Sequence, residues 1–512
     1  MPRKSRPDRS RSSGKNRVPP LGNLAQGQLP LSDADIVRIH HAALDLLSST
    51  GFRGQTRAVE ELALASGCSL DDDGRLLFPR SLVEDVIAGA ARDFVLHGQS
   101  PDHDIEVRDG HVHFATGGAA VKMLDSDKGI YRPSTLDDLY KIARVADTMA
   151  NIQWFARPVV ATDVEDIREL DLNTVYAIAR GTQKHLGTSI TLDRHVTEII
   201  EMLDLLTGQP GGFQKRPFLS VHATTVVSPL TFAQESSDVA SAAARAGMPI
   251  LSQTGPQAGA TSPAALAGTL VQAVAESLGA LVAINLVQPG HPVIASGWPF
   301  VADLRTGAFS GGGGEQALLS SAQSQMMRYY KLPTGVPAGM TDAKLPDNQA
   351  GYEKALTVLM AAQAGPDFVY ESVGMMASLL GFSLEAMTID DEMITNICRI
   401  LRGIHVADDT LSLNVIDDVA RGPGHFLGNA QTLAMMESEY VYPELADRDS
   451  PDDWHEKGSA DIWKRARARV FDILNAPHPD HITDENDNAV RARFPIRLPL
   501  SSVGRDNSAG KG

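Results

Sequence analysis

TGVPAGMTDAKLPDNQAGYEK, residues 334–354, joins an apolar run containing Gly and Pro to a polar cluster and then to a helix signal. The cluster consists of charged or amide side chains: Asp342, Lys344, Asp347, Asn348 and Gln349. A buried strand that ends in such groups, directly before a helix, is how an α/β barrel builds an active-site loop. The stretch therefore predicts one strand of a parallel barrel, with a functional loop at its carboxyl end.

Around this stretch, short β-type runs alternate with longer helical patterns from Val112 onward. The runs are Val112–Ala120, Trp154–Val160, His185–Ile190, Phe218–Val227, Pro249–Thr254, Pro292–Gly297, Thr334–Ala338 and Asp367–Ser372. The helical patterns between them are centred on Asp138–Met149, Leu172–Ala179, Val196–Leu206, Ser236–Ala246, Ala264–Leu286, Glu315–Tyr330 and Asn348–Ala364. Eight strands separated by helices predict a (β/α)8 barrel. A doubly wound open sheet is the alternative, but Gly117 and Gly118 after the first run lack the GxGxxG spacing usual in that fold.

Helical patterns also flank the barrel. Three helices are predicted before it, beginning at the capping-box-like pair Ser32 and Asp35, near Arg57 and at Arg80. The predicted fold class is α/β, a (β/α)8 TIM barrel with an N-terminal helical extension and a C-terminal helical segment. The predicted units are a disordered basic tail (1–30), the N-terminal helical region (31–110), the barrel (111–375), a C-terminal helical region packed on the barrel (376–490) and a flexible tail (491–512).

Composition limits the functional classes. The formal net charge of −17 over 512 residues argues against a general nucleic-acid binder. The basic first twenty residues lack the apolar segment of a secretory signal, and no run predicts a membrane span. The two cysteines, Cys68 and Cys398, are far apart and neither has a second Cys at ligand spacing, which fits reduced thiols. We therefore expect a cytoplasmic protein.

The carboxyl ends of the barrel strands are where reacting groups lie in this fold. Those ends are rich in aromatic, amide and carboxylate groups and poor in histidine: Asp163, Thr188, Ser189, Ser228, Gln253, Trp298, Asp342, Lys344 and Glu371. Ring faces attract alkylammonium groups, so such a pocket suits a cationic or zwitterionic small molecule. The candidate rings are Trp154, Trp298, Phe300, Tyr352 and Tyr370. For each ring alone, ordinary core packing is the simpler interpretation.

Two further features have a functional and a structural interpretation. Glu276 lies within an almost wholly apolar helix, where it could face the site or a subunit contact, or be satisfied by a buried partner such as an arginine. The glycines Gly311–Gly314 precede a helix, and their N–H groups could cradle an anion. A flexible lid, or close approach of a bulky ligand, would suit the same glycines, and no GKS or GKT follows them as in a nucleotide loop.

Histidine placement argues against a metal site. His111 and His113 share the spacing used by metal-binding barrel hydrolases, but His222 is the one further candidate and the fifth to eighth runs contain none. No GxSxG motif supplies a serine nucleophile. We therefore expect no bound metal, and a metal-dependent barrel hydrolase is the less favoured enzymatic alternative.

Six motifs, in order along the chain, carry a resemblance to a known family. They are ATGGAAVKMLD (115–125), SPLTF (228–232), GPQAGATSPAALAGTLVQAVAESLG (255–279), DLRTGAFSGGGGEQALL (303–319), TDAKLPDNQAGYEK (341–354) and GPGHFLG (422–428). From about Leu31 to about Leu474 the chain resembles the trimethylamine methyltransferase family, whose members move a methyl group from a methylated amine to a corrinoid protein. The resemblance implies a (β/α)8 barrel.

The chain departs from the archaeal trimethylamine enzymes of this family, which use pyrrolysine, because it contains none. Members without pyrrolysine are associated with quaternary amines such as glycine betaine, so the resemblance implies a quaternary amine rather than trimethylamine. It implies methyl transfer to Co(I) of a corrinoid that a partner protein supplies and that this chain does not hold tightly. A non-catalytic betaine- or methylamine-binding protein is the alternative from another class, and a homo-oligomer is possible.

The resemblance and the strand ends together assign roles to particular residues. The catalytic candidates are Asp342, Lys344 and Glu371. The substrate-binding candidates are Asp163, Gln253, Glu276, Trp298, Arg305, Gln349, Tyr352 and Tyr370. Among these, Asp163, Glu276 or Glu371 would offset the cation, and Lys344 or Arg305 would hold a substrate carboxylate. Corrinoid contacts are expected at Gly311, Gly312, Gly313, Gly314 and His425, with the partner docking around the strand ends beside Gly422–Leu433.

Overall fold

The computed structural model describes residues 29–108 and 110–505. The predicted basic tail, residues 1–30, lies outside this part of the chain except for its last two residues. Residues 506–512, at the other end, also lie outside it.

Eight short parallel strands form the barrel. They are β1 (His113–Ala115), β2 (Ile152–Ala156), β3 (His185–Thr188), β4 (Leu219–Val227), β5 (Ile250–Thr254), β6 (Val293–Gly297), β7 (Gly335–Pro337) and β8 (Phe368–Tyr370). Each strand pairs in parallel with the next from β1 to β6, and β7 pairs with β8, which pairs with β1. The Thr334 hydroxyl donates to Ala295 O at 2.7 Å, which nearly closes the ring between β6 and β7. The predicted barrel and its eight strands are confirmed.

Helices surround the barrel and continue at both ends of the chain. Before it lie α1 (Asp33–Ser49), α2 (Arg57–Ala65) and α3 (Arg80–Gly89). Around it lie α4 (Leu136–Asp147), α5 (Ile167–Gly181), α6 (Arg194–Thr207), α7 (Gly212–Lys215), α8 (Gln234–Arg245), α9 (Leu266–Val287), α10 (Gly314–Tyr330), α11 (Asn348–Ala364) and α12 (Leu384–Leu401). After it lie α13 (Leu413–Arg421), α14 (Ala430–Glu439), α15 (Pro451–Glu456), α16 (Ile462–Asn475) and α17 (Asp484–Arg493).

Several helices begin where a side chain caps the first turn. Thr135 and Asp138 form a capping box at the start of α4, in which each side chain accepts from the other residue's backbone N–H. The Asp347 carboxylate accepts from the N–H groups of Gln349 and Ala350 and so begins α11. Such caps satisfy backbone donors that have no partner within the helix, which is why these helices begin at these residues.

Helix α9 is apolar on all sides because it is buried on all sides. It lies between the barrel and the N-terminal helices α1, α2 and α3. A Cβ atom on Gly279 would lie 2.6 Å from the Phe52 ring, so the glycine lets the N-terminal region pack closely on the helix. Among the described residues, α9 is the one helix long and apolar enough to cross a membrane, and 83% of its most apolar window is buried inside the protein. Core packing therefore accounts for its composition.

The eighth barrel helix is α12, so the barrel extends past the predicted boundary at residue 375. Asn151, which directly precedes β2, donates to the backbone carbonyl of Asp391 in α12. The second half of α12 therefore lies at the end of the barrel where the strands start. Residues 402–442, which we call the arm, continue from that end and contain α13 and α14. Arg399 pairs with Glu439 at 2.8 Å, so the two ends of the arm lie close together.

The chain after the arm packs back onto the barrel. Helix α16 contacts α12 and α4, and α17 contacts α6. The prediction of a flexible tail from residue 491 is wrong for the described part, since α17 continues to Arg493 and the side chains of Phe494, Leu498 and Val503 are buried. These three apolar residues are spaced too irregularly to signal a helix or strand, which explains why the sequence suggested an unpacked end.

Small sheets extend the wall at the carboxyl ends of the strands, which we call the mouth. The hairpin Lys122–Asp125 and Ile130–Pro133 follows β1 and pairs with the hairpin Met375–Met376 and Gly381–Phe382 that follows β8. Strand Gln257–Ala258 after β5 pairs with the hairpin Phe300–Asp303 and Ala308–Ser310 after β6. The remaining short strands are Ser69–Leu70, Leu76–Leu77, Phe94–Leu96, Ile105–Val107 and Thr231–Phe232.

Candidate functional site

A cavity of about 300 Å³ opens at the mouth of the barrel. Its lining comes from the carboxyl ends of seven strands and the loops that follow them: Gly117, Gly118, Ala119, Ala156, Arg157, Thr188, Ser189, His222, Thr224, Gln253, Thr254, Gly255, Trp298, Phe300, Tyr370, Glu371 and Leu379. This volume suits a small molecule, and the position is the one at which barrel enzymes bind their substrates.

Glu371 is the carboxyl group of this cavity. It directly follows β8, is 2% exposed, and its Oε2 has no hydrogen-bond partner among the described residues. Burial raises the pKa of Glu371 to about 8, which favours the protonated carboxyl group at neutral pH. Its backbone has φ +58°, an uncommon conformation for a residue with a Cβ. Strained backbone of this kind is found most often at functional sites.

Arg157, directly after β2, places a guanidinium in the same cavity. Its Nε is buried and has no hydrogen-bond partner, and within residues 29–108 and 110–505 the side chain takes part in no ion pair. Burial lowers the pKa of Arg157, an effect that the Asp171 charge partly opposes. An arginine nevertheless stays protonated in proteins. The cavity therefore contains a cation that no carboxylate of the described chain neutralises.

Aromatic rings form one wall and the floor. The centroids of Trp298 and Tyr370 lie 5.6 Å apart, and Phe300 is 6.2 Å from Trp298. Trp154 lies beneath them, fully buried, with its ring edge-to-face with Tyr370 at 5.2 Å. Ring faces so arranged attract alkylammonium groups.

Two neutral histidines lie against the floor. Burial lowers the pKa values of His185 and His222 to about 3, so neither carries a charge at neutral pH. A Cβ on Gly187 would lie 2.2 Å from His222 Nε2 and 2.6 Å from the Trp154 indole nitrogen, so the glycine in β3 makes room for both rings. Since their charge is removed, the histidines add hydrogen-bonding groups to the barrel interior but no electrostatic attraction for an anion.

Several buried polar atoms around the cavity lack partners among the described residues. They are Trp154 Nε1, Arg157 Nε, His185 Nε2, His222 Nε2, Gln253 Oε1, Tyr370 Oη and Glu371 Oε2. Buried polar atoms in native proteins are normally paired, and exceptions concentrate where a ligand or water completes them. Five of these residues, all except Trp154 and His185, line the cavity, which indicates a site for a polar or charged small molecule.

Four of the predicted site residues meet at this cavity. Gln253, Trp298, Tyr370 and Glu371 all line it, as expected from strand ends. Gln253 donates from Nε2 to Thr224 Oγ1 at 2.9 Å, and Trp298 donates from its indole nitrogen to Gly335 O at 3.2 Å. These two bonds hold the amide and the ring in place. The functional roles assigned to the four residues remain predictions.

Asp342 and Lys344, predicted to be catalytic, lie outside the cavity lining. The Asp342 carboxylate accepts from Ser310 Oγ, Ser378 Oγ and the Gly311 N–H at 2.8–3.0 Å, so it joins the loops after β6, β7 and β8. Lys344 is exposed, and its ammonium donates to Asp342 O at 2.6 Å. Neither residue lines the cavity where the sequence placed it, and the Asp342 carboxylate holds the wall of the mouth together; the catalytic roles stay predictions.

Other predicted ligands of the substrate also lie away from the cavity. Arg305 is exposed and pairs with Asp303 at 2.8 Å. Tyr352 is 62% exposed, and Gln349 donates to Glu353 at 2.8 Å within α11. Asp163 is exposed and accepts from the Leu136 N–H at the start of α4. For these four residues, nearness to a strand end in sequence did not bring the side chain into the cavity.

Glu276 is buried but does not face the cavity. It accepts from Ser228 Oγ at 2.6 Å, the Leu230 N–H at 3.0 Å and Gln272 Nε2 at 2.9 Å. Burial raises its pKa, and these three donors oppose the shift. The structural interpretation is therefore correct, although the partners are uncharged rather than an arginine. Glu276 fixes the turn after β4 against α9.

The predicted corrinoid contacts are also placed elsewhere. The N–H of Gly311 donates to Asp342, and a Cβ on Gly312 would lie 2.3 Å from a Glu353 carboxylate oxygen. Carboxylates of the chain itself thus lie against these glycines, where the sequence suggested an external anion at Gly311–Gly314. His425 lies exposed in the arm, and no residue of Gly422–Leu433 lines the cavity.

The histidines of the first strand do not complete a metal site within the described chain. His111 and His113 stack at 6.5 Å between ring centroids, and burial lowers the pKa of His113 to about 4. Over residues 29–108 and 110–505, no group of three or more His, Cys, Asp or Glu side chains could hold a metal ion.

Arg157 is the site residue that the sequence analysis missed. The signal was present, because a single charged residue interrupts the apolar run WFARPVVA at residues 154–161. A charge at the end of a buried strand is costly unless something pairs with it, and this should have marked the position as functional.

Fold and cavity together define a (β/α)8-barrel protein with one small-molecule site at its mouth, formed by a carboxyl group, a guanidinium and aromatic rings. Comparison of the sequence with known families agrees with the resemblance seen in its motifs. The chain belongs to the trimethylamine methyltransferase family, whose model matches residues 2–497.

Individual relatives cover most of the chain. It is 30% identical over 460 residues to the trimethylamine methyltransferase MttB of Desulfitobacterium hafniense (strain DSM 10664 / DCB-2), spanning 90% of this chain and 92% of that one. It is 27% identical over 474 residues to the glycine betaine methyltransferase of Desulfitobacterium hafniense (strain Y51), spanning 92% and 98%. The crystal structure of the Methanosarcina barkeri monomethylamine methyltransferase is 13% identical, with a TM-score of 0.47 over 86% of this chain and 94% of that one.

Proposed function

We propose that this protein transfers a methyl group from a quaternary methylated amine to the Co(I) of a corrinoid carried by a separate protein. Membership of the family, and relatives named for their activity on trimethylamine and on glycine betaine, support a methyltransferase acting on a methylated amine. The corrinoid acceptor and the quaternary state of the nitrogen are the parts that we add.

The observation that carries this proposal is the unpartnered Glu371 carboxyl group among aromatic rings. A methylammonium group entering the cavity would meet the faces of Trp298, Phe300 or Tyr370 and a carboxyl group without a competing partner. The positive charge favours the ionised form of Glu371, which then offsets the cation. Since a quaternary ammonium donates no hydrogen bond, a pocket of rings and one carboxylate fits it better than a set of directional acceptors.

The proposed reaction is a displacement at the methyl carbon. The C–N bond breaks and its electron pair stays on nitrogen, which leaves as a neutral tertiary amine. The Co–C bond forms with the electron pair of Co(I), so cobalt becomes methyl-Co(III). No proton has to move, because the quaternary nitrogen already carries its charge. The protein's contribution is therefore orientation, with one methyl group held toward the mouth where the acceptor arrives.

A macromolecular acceptor is supported by the surface around the mouth. Apolar side chains that are at least 50% exposed follow five strands, and we call them the rim: Ile130 after β1, Val227 at the end of β4, Leu304 after β6, Leu345 after β7 and Leu380 after β8. Exposed apolar groups surrounding a site are typical of protein docking surfaces. We infer that the corrinoid protein binds this rim. Since Co(I) is a strong reductant, the proposed reaction also requires a reducing compartment such as the cytoplasm.

The direct test is an assay of the purified protein with cob(I)alamin and a panel of methylamines and betaines, following the formation of methylcobalamin. Transfer from at least one quaternary amine supports the proposal. Glu371→Gln should lower the rate for that substrate about 100-fold or more. Asp163→Asn, which alters an exposed carboxylate outside the cavity, should leave the rate unchanged.

Two results would overturn the proposal. One is binding of a methylated amine, measured by calorimetry, without transfer to cob(I)alamin or to a corrinoid protein; this would indicate a non-catalytic binding protein. The other is transfer that Glu371→Gln and Asp163→Asn affect equally, which would place the reacting site outside the cavity.

A further inference from the structure

The guanidinium of Arg157 is a feature that a methylammonium group alone does not explain. It lines the cavity, its Nε is buried without a partner, and no carboxylate in the described parts of the chain pairs with it. Leaving a charge uncompensated in a largely buried site costs free energy. A substrate that carried only positive charge would add a second cation to the same space. The positive charge of Arg157 in the cavity therefore lacks an ion-pair partner until an anionic ligand binds.

The positions of Arg157 and Glu371 on the barrel suggest how one ligand could contact both. Arg157 follows β2 and Glu371 follows β8, and β1 is the strand between them. Neighbouring strands are about 4.8 Å apart, so the two backbone positions are separated by about 10 Å across the wall. Both residues line the same cavity, so a ligand bound there adjoins both of them.

The chain after β1 contributes two glycines, and therefore no side chains of its own, to the wall between the two charged residues. Gly117 and Gly118 follow β1 there, and both line the cavity. A Cβ on Gly117 would lie 3.3 Å from Glu371 Cγ. A Cβ on Gly118 would lie 2.7 Å from the Met375 side chain and 3.4 Å from the carbonyl of Pro158, the residue after Arg157. Gly117 and Gly118 therefore lie between Glu371 and Arg157 along the wall of the cavity. A short zwitterion could lie along it, with a charged group at each end.

We propose that Arg157 is a specificity-determining residue that binds a substrate carboxylate, so that the site prefers zwitterionic methylated amines to simple methylammonium ions. This inference rests on the proposed function for the position of the ammonium group at Glu371 and the rings. A planar guanidinium can form two parallel hydrogen bonds with a carboxylate, a geometry that an ammonium side chain does not reproduce. Lys344 and Arg305, the cations expected from the sequence, lie outside the cavity and cannot take this role.

Preference between two ligands that share a head group is the property to measure. Glycine betaine and tetramethylammonium both present a quaternary methylated nitrogen, but only the first carries a carboxylate. Calorimetry with the wild-type protein should show glycine betaine binding about 100-fold or more tightly than tetramethylammonium, because a site built for a polar group rejects the analogue that lacks it. Methyl transfer to cob(I)alamin from both compounds gives the second readout.

Substitutions at Arg157 should remove this preference selectively. Arg157→Gln should weaken glycine betaine binding about 100-fold and leave tetramethylammonium binding equal or tighter, because a neighbouring cation is removed. Arg157→Lys should restore part of the loss, since it keeps the charge but not the paired geometry. Arg305→Gln, which removes an exposed cation outside the cavity, is the matched control and should change neither ligand. Circular dichroism and the thermal midpoint identify any variant that fails to fold.

The outcomes separate this inference from the proposed function. If folded Arg157→Gln weakens both ligands equally, or if the wild type binds tetramethylammonium as tightly as glycine betaine, the assignment of Arg157 is wrong while methyl transfer can still stand. If binding depends on Arg157 as expected but no compound yields methylcobalamin, the carboxylate contact stands and the proposed reaction falls. If Arg157→Gln misfolds, the ligand preference of Arg157→Lys decides: an unchanged preference for glycine betaine overturns the inference, and a reduced one supports it.

Discussion

Glu371 links the electrostatics of the cavity to the stability of the protein. Its pKa is raised to about 8 in the folded state by burial, whereas an unfolded chain releases that proton near pH 4.5. Between these values the folded state binds one proton more than the unfolded state. The contribution of Glu371 to the free energy of unfolding therefore falls as pH rises through this window, by up to about 1.4 kcal/mol per pH unit, and levels off above pH 8.

Glu371→Gln should remove this pH dependence, because an amide does not ionise. Relative to wild type, we expect the variant to gain stability steadily from pH 5 to pH 8 in urea denaturation of the ligand-free protein. The difference at pH 8 should reach the order of several kcal/mol. Asp163→Asn is the control, since that exposed carboxylate should produce no comparable trend. A constant difference between wild type and Glu371→Gln over this range would show that Glu371 is ionised in the folded protein.

At the scale of elements, the loop after β7 acts as a brace, which is a set of contacts that ties neighbouring loops together. Asp342 joins the loops after β6 and β8, and the Glu353 carboxylate in α11 accepts from the Asp342 N–H at 2.8 Å. Buried Lys354 pairs with Asp390 of α12 at 2.6 Å. The most recognisable motif of the chain therefore holds together three loops and two helices around the mouth. Charged hydrogen-bonding residues occur both in active sites and in structural contacts between loops. This is why the residue types of the motif resemble those of an active site.

Removing the brace should loosen the mouth without touching the cavity. Asp342→Ala deletes the acceptor of three hydrogen bonds and should destabilise the protein by about 1–3 kcal/mol. Faster hydrogen exchange at Gly311 and Ser378 should accompany the loss. Lys344→Ala, in the same loop, should change neither stability nor exchange, because that side chain is exposed. If Lys344→Ala impaired methyl transfer as strongly as Glu371→Gln, the position of the site would need revision.

The arm is a second element with a distinctive surface, because many of its exposed side chains are apolar. Large apolar side chains are exposed along it: Ile404, Val406, Leu411, Leu413, Leu427 and Leu433. Because the arm starts at the end of the barrel opposite to the mouth, a corrinoid protein bound at the rim would not cover it. Interfaces between identical subunits are more apolar than other protein surfaces, so we expect a second copy of the chain to do so.

Sedimentation velocity over a range of concentrations tests the arm. The wild-type chain should associate, and replacing residues 404–437 by a short Gly-Ser linker should give a monomer. The replacement is feasible because Arg399 and Glu439 hold the two ends of the arm together. The cavity lies at the other end of the barrel, so transfer to cob(I)alamin should be retained. A wild-type chain that stays monomeric at all concentrations would show that the arm has another role.

At the scale of the whole molecule, the periodic features were predictable and the pairing of side chains was not. Short β-type runs such as β5 and β6 alternate with longer helical patterns such as α9, and this alternation is typical of parallel βα units, so the barrel followed from the sequence. Tyr370 and Glu371 were found because a barrel directs its strand ends to the mouth. Asp342 and Glu276 were expected at the cavity, which neither lines, because sequence spacing does not show which carboxylate meets a donor from a distant loop. Arg157 was missed because its apolar neighbours read as an ordinary strand.

The rim gives a prediction that concerns the whole molecule and its partner. If the corrinoid protein docks on exposed Leu304 and Leu345, an aspartate at either position should repel an apolar contact without altering the cavity, which neither residue lines. Leu304→Asp and Leu345→Asp should each raise the KM for the corrinoid protein about tenfold, equivalent to about 1.4 kcal/mol of binding. Transfer to free cob(I)alamin, which needs no protein docking, should stay unchanged. Leu64→Asp, on exposed α2, is the matched control. Equal losses with both acceptors would mean that these leucines support the site itself, and no loss with either would place the docking surface elsewhere.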